Sequence, residues 1–295
     1  MLLYHYCSND TFLSILRNSE LWLSELTLSN DSMEGIWVRE VLLEECRERN
    51  LSPQALDDFA EKTAFLLEVF SAAGFCLSAE GDLLSQWRGY ADNGAGVAIG
   101  FEPKTIEELC EARKEKGMGA SLGQVVYESP EQRAAIQPHA DKLVDFIEKG
   151  ALSAQSGAAS LLGLYSEEDD KKRKQLSFSY FLQFLFMMDM LFKFKNPAFS
   201  EEKEWRILSI MTKTTREDKS MKSGCYSDPQ NLDFRARGDH IVPYLRLPIP
   251  DDKKGCIKEI ILGPRNRTPE PVIRAVLEKY GFENVNIRRS AATYR

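Results

Sequence analysis

Residues 96–101, GVAIGF, form an uninterrupted apolar run of strand length between turn residues, and that run constrains the fold more than any other stretch. A strand apolar at every position belongs in the middle of a sheet, because neither face is left for water. Around it the chain alternates strands with helices without a repeating βαβ unit. LLYHYCS predicts a first strand and ELWLSEL, with its apolar–polar alternation, a second. Between them Asn9-Asp10-Thr11 offers an N-cap for a helix over TFLSILRN. A turn at Asn30 leads into a charged amphipathic helix ending near Asn50, and Pro53 opens another that runs through AFLLEVFSAA. FCLSAE predicts the third strand, LLSQWRGYADN a short helix or turn, and GVAIGF the fourth strand. Glu107 to Lys116 reads as a helix, GMGASLG as a loop and QVVYE as a fifth strand. A helical region follows from Pro130 to Phe194, broken near Gly157 and at EEDDKKRK, a charge block with the composition of a solvated helix end. EWRILSIM, HIVPYLRLPI and CIKEIILGP then return the chain to strands, before the helix PEPVIRAVLEKYGF and the strand NVNIRRS. The pattern predicts one α+β domain over residues 1–295 with a helical insertion at about 130–195.

Composition narrows the classes of function. A formal charge of −7 argues against tight, sequence-independent binding to a phosphate backbone, which needs a basic surface. The three histidines, His5, His139 and His240, lie far apart, so a histidine-rich metal cage is not expected. Six cysteines occur without a C-x-x-C pair or a repeating spacing, which fits reduced thiols in a cytoplasmic protein. MLLYHYCSND has neither a basic n-region nor a long apolar stretch, so no signal peptide is expected. Leu176 to Phe192 is densely apolar but is interrupted by Ser177, Ser179, Gln183 and Asp189, and it is shorter than the roughly 20 residues of a membrane span. Its apolar positions cover nearly the whole helical circumference, which predicts a helix buried in a core. Signatures of P-loop enzymes, nucleophile-elbow hydrolases, zincins, kinases and zinc deaminases are missing.

Polar and aromatic clusters at strand ends supply the candidate site. Alternation along the first strand puts Tyr4 and Tyr6 on one face and His5 on the other. Asn30 and Asp31, in the run from Ser29 to Glu34, suit either helix capping or a ligand. Trp87, Arg88 and Tyr90 precede the central strand; two large aromatics beside a guanidinium can stack on a flat ring and hold a phosphate, and Trp87 can equally pack in the core. Glu202, Glu204 and Arg206 would share one face of a strand, an arrangement that is costly unless exposed or used. Ser290 and the terminal Tyr294-Arg295 form a last cluster.

In order, LYHY, SNDSMEG, FCLSAE with WRGYADNGAG, EEKEWRI, IILGP and RRSAATYR resemble a large bacterial family classed as a domain of unknown function. Its motifs are of the types N-D-P-x-E, W-x-x-Y-A-x-x-x-x-G and E-x-E-x-R, and the likeness spans nearly the whole chain. Ser32 departs from the family's usual proline, whereas Asn30, Asp31 and Glu34 keep the pattern. More distantly, the first-strand histidine, the helix TFLSILRN and the strand ELWLS are similar to the opening of ADP-ribosyltransferase-like folds. Those folds are split sheets that bind NAD in a cleft, with a glutamate on a later strand that is often part of a Glx-x-Glu pair, the spacing of Glu202 and Glu204.

That second resemblance implies an NAD-consuming enzyme, an ADP-ribosyltransferase or NAD glycohydrolase, acting as an intracellular bacterial toxin or phage-defence effector. NAD would be substrate, no metal would be needed, and the acceptor would be a protein or nucleic acid, with an antitoxin or regulator as partner and no membrane. Glu204 would be the central catalytic residue, with Glu202 beside it. His5, Tyr6, Asn30, Asp31, Trp87, Arg88, Tyr90 and Arg206 would form the NAD-binding set. Within it His5 would bond a ribose, Arg88 or Arg206 would neutralise pyrophosphate, and either Tyr90 or Tyr127 would stack on nicotinamide. Two alternatives stand beside this expectation: a nucleotide-sensing or protein-interaction module without catalysis, and a nucleic-acid-directed enzyme using the carboxylates with a divalent metal.

Overall fold

The computed structural model describes residues 1–28, 37–115, 119–149, 151, 171–214, 225–226 and 229–293. Asn30, Asp31, the helix break near Gly157, the acidic half of the charge block and Tyr294-Arg295 lie outside the described residues.

Strand β3 (Phe70–Ser78) is where the sheet divides. Along one edge it pairs with β6 (Glu204–Thr214) from Phe70↔Thr212 to Ser78↔Glu204. Two strands share the other edge. Ala73 and Gly74 pair with Glu25 and Ser24 of β2 (Glu20–Glu25), and Ser78 pairs with Tyr4 of β1 (Leu3–Cys7). Between those contacts the ladder partners of Phe75, Cys76 and Leu77 among the described residues are all on β6. From β1 the sheet continues through β4 (Val97–Phe101) and β10 (Ile257–Leu262) to β11 (Asn286–Arg289). From β2 it continues through β9 (His240–Pro248) to β8 (Asp233–Arg237). Strands β5 (Ser121–Gln124) and β7 (Cys225–Tyr226) flank β6. Among these strands only β10 and β11 pair in parallel, so helices and one mixed sheet make up the described fold.

Both faces of β3 are covered, which explains its nearly continuous burial. Ala73, Phe75 and Leu77 face a layer that contains α1 (Asn9–Asn18), α5 (Pro103–Glu115) and α8 (Glu270–Lys279), through residues such as Leu16, Ile106 and Ile273. Phe70 and Ala72 face the opposite layer, built from α2 (Trp37–Glu48), α3 (Pro53–Val69), α6 (Ser129–Glu148) and α7 (Lys171–Leu191). Local chemistry sets several helix starts. The Ser8 hydroxyl, not Asn9–Thr11, caps α1 by accepting the Thr11 N–H at 3.2 Å, and Ser52 caps α3 just ahead of Pro53.

Three expectations need correction. The third helix stops at Val69, because FSAA is taken up by the long ladder with β6. The fifth strand is SLGQ, not QVVYE. Past Gln124 the chain leaves the sheet for the helical layer, where Val126 forms an isolated bridge with Phe194 and Gln132 Nε2 bonds the carbonyls of Val126 and Lys195. Helix α7 buries Tyr180, Phe184 and Met187, yet Phe178 and Phe186 are exposed, so its apolar circumference is not buried all round. No described helix is long and apolar enough to cross a membrane.

Candidate functional site

A cavity of about 390 Å³ opens beside Phe75, Cys76 and Leu77, where the edge of β3 passes from β1 to β2. Residues directly opposite each other in a ladder share a face. The pairs Glu204↔Ser78, Arg206↔Cys76, Gly74↔Ser24, Ser24↔Tyr244, Tyr244↔Asp233 and Val242↔Arg235 therefore carry one sheet face from β6 across to β8. The cavity uses this face as a wall, with Glu204 and Arg206 on β6 and Arg235 and Arg237 on β8.

At the β6 side two carboxylates and two cations are locked together. Glu204 takes two hydrogen bonds from Arg206, Nε to Oε1 at 2.8 Å and Nη2 to Oε2 at 2.9 Å. The Lys195 ammonium bridges the pair, 2.7 Å from Glu202 Oε2 and 3.1 Å from Glu204 Oε2. The exit of helix α7 serves both cations: Arg206 Nη1 donates to the Phe192 carbonyl just past its C-terminus, and Lys195 follows three residues later. Burial alone would raise the Glu204 carboxyl, but the charge and hydrogen bonds of Arg206, then Lys195, outweigh it and hold the group at about 2. The same carboxylates raise the Lys195 ammonium against the opposing effect of its burial. Glu202 is not on the strand. It ends a 3-10 turn, Pro197–Glu202, and Lys203 with φ of 45° swings the chain so that both carboxylates still meet. They are buried, not solvated.

His5 packs its ring on Phe75, with centroids 4.0 Å apart, and its Nδ1 lies 2.8 Å from the Cys76 carbonyl. A carbonyl only accepts, so Nδ1 carries the proton and Nε2 is left as an acceptor. Burial lowers the imidazole to about 4, the Cys76 bond opposes that shift, and Arg235 adds to it. Tyr90, at the end of α4 (Leu84–Tyr90), donates to Glu202 Oε1 at 3.1 Å and is 38% exposed, so one flank of its ring faces open space. Tyr6 lines the cavity as well, though its hydroxyl is committed to the Glu80 carbonyl and the Leu83 N–H.

His5, Tyr6, Tyr90, Glu202, Glu204 and Arg206 thus border one cavity. Trp87 does not. It is fully buried, edge-on to Tyr6, and its indole donates to Asp82 Oδ1 at 2.7 Å, so it anchors α4 in place of touching a ligand. Asp82 in turn holds the chain end through Ser290 and the Ala291 N–H, which gives Ser290 a tethering role. Arg88 is exposed and does not line the cavity, because the helical turn that aims Tyr90 inward carries its neighbour elsewhere. Tyr127 is buried with its hydroxyl accepting the Glu204 N–H at 3.1 Å, so it supports the glutamate's backbone, and of the two tyrosines it is Tyr90 that lines the cavity.

Lys195, Cys76, Trp22, Arg235 and Arg237 also line the cavity and were not expected there. The sequence DFRAR held the usable signal: with a period of two it puts Arg235 and Arg237 on one strand face. Among the described lining residues four cations, Lys195, Arg206, Arg235 and Arg237, face three carboxylates, Glu25, Glu202 and Glu204, a balance that favours an anionic ligand. Lys195 occupies the position between the carboxylates that a bridging divalent cation would need, which speaks against the metal-dependent alternative.

No curated protein and no solved structure matches the chain. Residues 86–207, the span from α4 to β6 that carries Tyr90, Lys195, Glu202, Glu204 and Arg206, match the family model described as protein of unknown function (DUF2971), and it is over this span that the expected kinship with a domain-of-unknown-function family is shown.

Proposed function

We propose that the cavity takes an NAD-type dinucleotide and that the protein is an NAD-consuming enzyme, an ADP-ribosyltransferase or NAD glycohydrolase. The observation that carries this reading is the meeting of His5, Tyr90 and the Glu202–Glu204 pair around one cavity at the division of the sheet. That arrangement agrees with the cleft of an ADP-ribosyltransferase-like split sheet, the fold that the opening of the chain resembles. His5 Nε2 is an acceptor suited to a ribose hydroxyl, and Tyr90 offers an aromatic flank for nicotinamide. When the nicotinamide–ribose bond breaks, its electron pair leaves with the ring nitrogen, and positive charge develops on the ribose as in glycoside cleavage. Glu204 stays ionised at working pH, so it acts as a fixed negative group and not as a proton donor. Water or a macromolecular nucleophile, protein or nucleic acid, then bonds to the ribose C1′ and gives up its proton to solvent.

Incubation of the pure protein with NAD, followed by mass spectrometry, tests this directly. Free nicotinamide is the expected product, with ADP-ribose either released or attached to an acceptor. A toxin or phage-defence role adds growth arrest on expression, relieved by Glu204→Gln at an equal level of folded protein. A second reading, a nucleotide-binding module without catalysis, is favoured by one observation: every carboxylate oxygen already accepts a bond, those of Glu204 from Arg206 and Lys195 and those of Glu202 from Lys195 and Tyr90. NAD that raises the melting temperature while no nicotinamide appears would select it.

A further inference from the structure

Arg235 departs from the pairing of charge seen elsewhere in the cavity. Lys195 and Arg206 each meet a carboxylate. Arg235 meets none among the described residues. Its Nη2 donates to the Ser24 hydroxyl at 2.8 Å, and its buried Nε has no hydrogen-bond partner among them. Burial, together with the like charge of Arg237, disfavours its protonated form. Arginine nevertheless stays protonated in proteins, so a largely covered guanidinium without a counter-charge among the described residues carries a cost that a bound anion removes.

The group is also held in place. Its guanidinium lies over the Trp22 indole, 5.7 Å from the centroid. Trp22 is itself fixed by Tyr244, with ring centroids 4.8 Å apart, and by its Nε1 bond to Glu20 at 2.7 Å. A planar donor fork fixed on an aromatic face matches phosphate oxygens in geometry as well as charge. Arg237 follows on the same strand face and lines the same cavity, so a second cation stands beside the first.

We propose that Arg235 is a phosphate-binding residue and that the β8 side of the cavity takes the diphosphate of a nucleoside diphosphate. The volume of about 390 Å³ lies within the range of small-molecule sites. The inference rests on the reading of this cavity as a nucleotide site, but not on catalysis. It moves the pyrophosphate role expected of Arg88 or Arg206 to a residue whose guanidinium is not already spent on a carboxylate.

Calorimetric titration of the full chain with ADP, adenosine and inorganic pyrophosphate tests it. ADP is expected to bind the unaltered protein at least about tenfold more tightly than adenosine, and Arg235→Gln to weaken ADP by about 10- to 100-fold, the range for a charged hydrogen bond. Adenosine affinity should not change. Arg235→Lys keeps the charge without the fork and should retain part of the ADP affinity, which also covers the case in which Arg235→Gln does not fold. Ser24→Ala removes the neighbouring hydroxyl and should leave ADP binding within a few-fold. Unchanged ADP affinity in both Arg235 variants overturns the assignment, and pyrophosphate binding as tightly as ADP overturns its nucleoside part. Nicotinamide release is scored separately. Arg235-dependent ADP binding without it removes the catalytic reading and leaves the subsite, whereas NAD turnover indifferent to Arg235 removes the subsite alone.

Discussion

Arg206 grips Glu204 at two points on a single face of β6, Nε to Oε1 and Nη2 to Oε2 at 2.8 and 2.9 Å, and both side chains are almost wholly buried. A buried pair of this kind contributes little relative to apolar groups, but breaking it strands a charge. Arg206→Met should therefore destabilise the fold by about 3–5 kcal/mol in urea unfolding, because the Glu204 carboxylate loses both guanidinium bonds while staying buried beside Lys195. Glu204→Met with Arg206→Met should recover much of that loss. A double variant as unstable as the single one would mean that the pair is not the source of the cost. The practical consequence concerns activity assays: turnover by Glu204 variants has to be normalised to the folded fraction.

The depressed Glu204 carboxyl also sets an acid limit. Its ordinary value is 4.5, and in the fold it stands at about 2, so the unfolded chain binds this proton first as pH falls. The stabilisation is fully present above about 4.5 and is lost as pH drops through about 2. Melting temperatures of the unaltered protein and of Glu204→Gln, measured between those values, should converge toward the acid end. Parallel curves would place the acid sensitivity elsewhere.

Pattern was enough to locate most of the fold, and the reason lies in where each strand sits. GVAIGF is covered on both faces and shows it as an unbroken apolar run, while ELWLSEL alternates buried with half-buried positions. β7 is two residues long and takes its order from β6, and β8 shows only the alternation of DFRAR, without the apolar run that marks a buried strand, so neither stood out in the sequence. At the site, His5 and Glu204 were readable because strand alternation assigns faces. Lys195 was not. Its place between two carboxylates depends on the exit of α7 and on Gln132 holding the Lys195 carbonyl at 2.9 Å, contacts between distant parts of the chain. Trp87 shows the opposite failure: a motif aromatic whose position beside Tyr90 suggested a ligand, although its indole is spent on Asp82.

His5 has the reverse pH behaviour to an ordinary surface histidine. With an imidazole lowered from 6.5 to about 4, the fold holds it neutral while the unfolded chain protonates. Its contribution to stability is complete above about 6.5 and falls away as pH drops toward about 4. His5→Asn should flatten the melting-temperature profile across that window. Ligand affinity should show no inflection near 6.5, because the Nε2 acceptor persists to lower pH; an inflection there would mean that burial does not hold the His5 ring neutral.

Cys76 offers a direct report on occupancy. Among the cysteine side chains described, Cys7, Cys46, Cys110 and Cys256 are buried and Cys76 is exposed, at the cavity wall beside Glu204. It stands opposite Arg206 on the same sheet face, on the strand next to β6 in the direction of β8, so a ligand spanning from the carboxylates to Arg235 must cross it. Iodoacetamide should label Cys76 well ahead of the four buried thiols, and saturating ADP-ribose should slow that labelling several-fold. Once Cys76 carries the added carboxamidomethyl group, the melting shift produced by ADP-ribose should disappear, whereas Cys76→Ser should keep it. The serine variant separates blockage of the cavity from loss of the thiol itself. Labelling at an unchanged rate under ADP-ribose concentrations that do shift the melting temperature would show that the nucleotide binds elsewhere, and both the NAD reading and the Arg235 subsite would fall with it.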